Sequence, residues 1–112
     1  VKVIGLIESD STVPKLGQIV QTLKGRETGN YSVVVQQLDE RFVLIADGDR
    51  RKFDRAKRKN IAHLHLCDYV SPEVQNSIIE SGRVTNGKLR YAVSKFVNEV
   101  LNDEKKGDML DG

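Results

Sequence analysis

Apolar and polar positions along this chain follow two rhythms. From Lys15 to about Cys67 the rhythm is short. "GQIVQTLKG" places Ile19, Val20 and Leu23 in a strand-like run that closes on Gly25. The glycines of "GRETGN" mark a turn, and "YSVVVQQL" follows, rich in β-branched residues. "LDER" predicts a second turn, "FVLIAD" an apolar strand, and "DGD" (Asp47, Gly48, Asp49) a tight turn. "RRKFDRAKRKN" continues as a basic strand or loop. "IAHLHLCDYV" alternates again, with Leu64 and Leu66 on one face and His63, His65 and Cys67 on the other. About five short strands in so short a stretch predict a small barrel, because closure removes exposed edges.

The period then lengthens. Ser71 as N-cap, Pro72 at the first helical position, Glu73 in the first turn and Gly82 at the end predict a helix of about three turns. Val74, Ile78 and Ile79 are its expected inward side chains. A second helix is expected from about Asn86. Its apolar residues Leu89, Ala92, Val93, Phe96, Val97, Val100 and Leu101 trace one continuous stripe. The expected fold class is therefore mainly β with an α appendage. Residues 1–12 form an arm, either an edge strand or an extension. Residues 13–67 form the barrel, 68–102 the helical extension and 103–112 a disordered polar tail.

Composition narrows the class. The sequence has 112 residues, 38% hydrophobic and 30% charged, which fits one small globular domain. No apolar run approaches the roughly 18 residues of a membrane span, and the apolar start is too short for a signal-peptide core. The single Cys67 cannot form an internal disulfide, so a cytoplasmic location is expected.

Charge changes the picture more. The net charge is +2, yet residues 50–59 hold seven Lys or Arg against one acid, Asp54. The other 102 residues hold 11 basic and 15 acidic side chains. Such concentration points to an anionic partner at one place. Arg50, Arg51, Lys52, Arg55, Lys57, Arg58 and Lys59 are the candidate RNA-binding residues of this segment. Each neutralised phosphate releases a counterion, and Arg grips phosphate bidentately. Lone Phe53 between charges has two readings, stacking on a base or ribose exposed by the RNA or anchoring the segment in the core, and the anchor is the favoured one. A membrane surface is disfavoured, since only Phe53 and Ala56 interrupt the charge. In "KGRETG", Lys24 and Arg26 add charge beside a turn whose backbone N–H groups can approach phosphate.

"KLGQIVQTLKGRETGNYSVVVQ" resembles the KOW motif of ribosomal and transcription-elongation proteins. The matching features are Gly17 before Ile19 and Val20, then Lys24-Gly25-Arg26, Gly29, and Val33 to Val35. "FVLIADGDRRKFDRAKRKNIAHL" and "RVTNGKLRYAVSKFVNEV" extend the likeness, over roughly residues 13–105, to small KOW-domain RNA-binding proteins of Gram-positive bacteria. Those are related to the archaeal and eukaryotic large-subunit ribosomal protein fourteen-e. The resemblance implies an SH3-like barrel with a helical extension, associated with the ribosome or its RNA. It strengthens Lys24 and Arg26 as RNA contacts. Asn30 departs from the pattern, standing where many such motifs carry a basic residue.

The resulting expectation is non-catalytic binding of structured RNA, ribosomal RNA foremost, by a monomer within a ribonucleoprotein, with neighbouring ribosomal proteins as further partners. The alternative is a KOW-type protein-interaction module in transcription elongation or translation regulation. No cofactor or metal is expected. His63, His65 and Cys67 on one strand span about 13 Å, too far for one tetrahedral ion. Asp47 and Asp49 read as turn chemistry, and no nucleophile–base pair marks an enzyme. Arg83, Lys88 and Arg90 offer a secondary basic edge.

Overall fold

A computed structural model describes residues 13–101. The expected arm (1–12) and tail (103–112) lie outside the described residues. Five antiparallel strands run β1 Gln18–Thr22, β2 Tyr31–Gln37, β3 Phe42–Ala46, β4 Lys57–Asn60 and β5 Leu64–Val70. Helices α1 Pro72–Ser81 and α2 Asn86–Lys95 follow, and α2 continues as a π-helical turn, Phe96–Leu101. Single 3₁₀ turns occupy Phe53–Arg55 and Ile61–His63.

The sheet is open, and this corrects the expected barrel. Its order is β4-β3-β2-β1-β5, so β4 and β5 are the two edges and do not pair with each other. The local sequence explains why. β4 is four residues long and reads Lys-Arg-Lys-Asn, a charged edge of the kind that resists pairing with another strand. Directly after it, Ile61–His63 spends the connection on a helical turn, with the Asn60 side chain accepting from Ala62 N at 2.9 Å. The fold is a mixed α/β arrangement: an antiparallel sheet followed by two helices.

Strand alternation sorts the side chains into two buried clusters. Ile19, Val33, Val35, Ala46 and Cys67 meet Val74, Val84, Leu89, Ala92 and Phe96 from the helical part. Val20, Val34, Val43, Ile45 and Leu64 form a second cluster, bordered by Ile61 and Leu66. Register shifts between Val34 and Gln36 and between Gln18 and Val20 bend the strands. The expected split of β5 holds for Leu64 and Leu66 against Cys67, while His63 belongs to the preceding turn. Burial raises the Cys67 thiol to about 11. Gln18 is buried with its amide satisfied: Nε2 donates to Cys67 O and Oε1 accepts from Lys15 N, both at 2.9 Å.

The helix ends follow their chemistry. Ser71 Oγ accepts from Val74 N, Gly82 closes α1 in the left-handed region, and Thr85 Oγ1 accepts from Lys88 N. Of the expected inward residues of α1, Val74 and Ile78 pack on the core, whereas Ile79 is 66% exposed. On the second helix the stripe packs as expected. Phe96 lies buried between Tyr31 and Tyr69, with ring centroids at 5.4 and 5.9 Å.

Candidate nucleic-acid interface

The basic segment begins in a turn that the helices hold. Asp47 Oδ1 accepts from Asp49 N and Arg51 N, both at 2.9 Å, and Gly48 N donates to Arg51 O. Gly48 has φ +80, and a Cβ there would overlap the Asn86 carbonyl oxygen and crowd Leu89. Only glycine lets this turn seat on the first turn of α2. Arg90 Nη1 donates to Gly48 O at 2.7 Å, and Phe53 N donates to Asn86 Oδ1 at 2.7 Å. Phe53 packs against the helix-side core, the anchoring role its setting among charges predicts. Arg90 is thereby a structural contact of the loop rather than a free cation.

The fold also brings the two basic stretches together. The 23–30 turn lies beside β4, where Lys59 Nζ donates to Lys24 O at 2.9 Å. Arg51 Nη2 lies 3.5 Å from Glu27 Oε2 in the same turn. Among the described residues this is the one ion pair made by the nine candidates, and it partly neutralises Arg51. Arg51 Nε is buried and has no hydrogen-bond partner among the described residues.

The nine do not share one orientation. Lys24, Arg26, Arg50, Lys52, Arg55 and Arg58 are exposed; Arg51, Lys57 and Lys59 are half-buried. Along β4, Lys57 pairs with Ile45 and Lys59 with Val43, both of the second cluster, while Arg58 pairs with Leu44 of the helix side. Arg58 therefore turns to the opposite face, where its guanidinium sits 3.7 Å from the Phe42 ring centroid. Because β4 is an outer strand, both faces meet at its free edge. The cations thus form a band that runs from the 23–30 turn and the β4 edge into the loop pinned to α2, rather than a flat patch.

A groove of about 610 Å³ opens where the basic loop meets the helices. Lys52, Phe53 and Asp54 line one side; Ser77, Ser81, Arg83, Val84, Thr85 and Asn86 line the other. The sequence singled out Lys52 and Arg83 separately. Nothing local signals that they share a groove, or that Glu27 and Phe42 are side-chain partners of Arg51 and Arg58, because each pair is joined only through tertiary structure. Among the described residues no group of three or more His, Cys, Asp or Glu is placed to hold a metal ion, and no helix is long and apolar enough to cross a membrane.

No protein-family model matches the chain. Over 44 residues, 39% of this chain and 60% of the relative, it is 68% identical to YbzG of Bacillus subtilis, a candidate ribosome-binding protein. Over 56 residues, 50% of this chain and 56% of the relative, it is 36% identical to the large ribosomal subunit protein eL14 of Aeropyrum pernix. The chain thus spans less than two thirds of the length of these curated relatives. Over part of its length it is a small domain related to ribosome-binding and eL14-like proteins.

Proposed function

We propose that this chain is a non-catalytic RNA-binding module that docks on structured RNA, ribosomal RNA foremost, in the cytoplasm. The cationic band supplies the contacts: Lys24 and Arg26 from the turn, Arg50, Arg51, Lys52 and Arg55 from the loop, and Lys57, Arg58 and Lys59 from β4. The observation that carries this reading is the Lys59–Lys24 contact, which joins two basic stretches distant in sequence. The partial likeness to a candidate ribosome-binding protein and to eL14 supports it independently. Recognition would rest on backbone shape, since paired RNA hides its base edges in a deep, narrow groove.

The test combines location with affinity. On a gradient of cell extract at low salt the protein should travel with ribosomal fractions; remaining at the top contradicts the proposal. Arg55→Glu with Arg58→Glu should lower affinity for ribosomal RNA by more than about tenfold at moderate salt, through lost contacts and new repulsion. Unchanged binding would move the site elsewhere. A second reading, a protein-interaction module, draws on Ile79 and Tyr91, which are 66% and 51% exposed on the helices. A partner captured after nuclease treatment, and still captured by the charge-reversed variant, would favour it.

A further inference from the structure

The groove beside the loop has features that a phosphate-gripping band does not require. Its lining includes apolar surface from Phe53 and buried Val84. It has a cation on each side, Lys52 and Arg83, and hydroxyls at Ser77, Ser81 and Thr85. Ser77 Oγ and Ser81 Oγ donate to the Arg83 carbonyl, at 2.8 and 3.3 Å, which ties the connector carrying Arg83 to α1. Asn86 spends Oδ1 on the Phe53 amide, leaving Nδ2 uncommitted among the described residues. At about 610 Å³ the groove lies within the roughly 300–1,000 Å³ of small-ligand pockets.

We infer that this groove takes one unpaired nucleotide of the RNA, turned out of the helix that the cationic band holds; this rests on the RNA-binding reading above. Lys52 belongs to both surfaces, so a strand leaving the band would enter the groove directly. The base would lie against Phe53 and Val84, where an aromatic face supports stacking. Its phosphate would sit between Lys52 and Arg83. Asp54, also in the lining, repels phosphate from its own end and offers an acceptor to base N–H donors. Recognition of a splayed-out base complements shape recognition of the paired part.

The probes are an RNA hairpin of about 12 base pairs and the same hairpin with one bulged 2-aminopurine. The wild-type protein should bind the bulged hairpin about tenfold more tightly, with a change in 2-aminopurine fluorescence. Ser81→Trp fills the groove from an exposed position outside the cationic band. It should abolish the preference and the fluorescence change while leaving affinity for the plain hairpin intact. Arg83→Ala should reduce the preference as well, and it decides the matter if Ser81→Trp fails to fold. Equal wild-type binding of the two hairpins, or a preference that survives both variants, overturns the inference and leaves the band's role standing. Wild-type binding to neither hairpin nor to ribosomal RNA overturns the RNA reading and this inference together.

Discussion

Glu27 is the residue that most limits the charge this surface can offer. Its carboxylate faces Arg51 at 3.5 Å and occupies one end of a guanidinium whose Nε is buried without a partner. An incoming phosphate must compete with it. Glu27→Gln should therefore raise RNA affinity a few-fold and steepen the log–log salt dependence by roughly 0.7–0.9, one added phosphate contact. A salt titration measures both. Cys67 gives a second prediction at this scale. Burial raises its thiol from 9.0 to about 11 in the folded protein, so the native state favours the protonated form. The associated stability is fully present below pH 9 and is lost as pH rises through about 11. Urea denaturation at pH 8 and pH 10.5 should show a fall that is smaller in Cys67→Ala, whose lower starting stability reflects the cavity alone.

The elements differ in how far local chemistry determines them. Both helices were legible because their signals are short-range: Ser71-Pro72 and Gly82 bound α1, and the stripe from Leu89 to Leu101 needs only one periodicity. Four of the strands were legible for the same reason, while the stretch that forms β4 reads only as a basic strand or loop. Barrel closure was not, since it depends on whether β4 meets β5, and Ile61–His63 takes a helical turn that alternation alone does not reveal. Ile79 departs from the expected inward set: Val74 and Ile78, one turn apart, face the core, and Ile79 lies about 100° further around α1 and is exposed. The basic stretch was legible as charge, but its division into a pinned loop, a 3₁₀ turn and an edge strand depends on α2. That dependence is testable. Asn86→Ala removes the acceptor of the Phe53 amide and should cost about 1–3 kcal/mol in urea denaturation. Amide exchange at Phe53 should accelerate by more than the global loss requires.

At the scale of the whole molecule, charge and core are segregated yet joined. The helices bury the face of the sheet carrying Ile19, Val33 and Ala46, while the cations follow the β4 edge, the neighbouring turn and the loop pinned to α2. Two hydrogen bonds, Arg90 to Gly48 and Phe53 to Asn86, connect these regions. Their consequence is reciprocal. A ligand that fastens the 47–55 loop must also quiet the opening fluctuations of α2, by the same free energy with which an intact α2 prepares the loop for that ligand. The helical hairpin would then report occupancy of the loop that it holds in place.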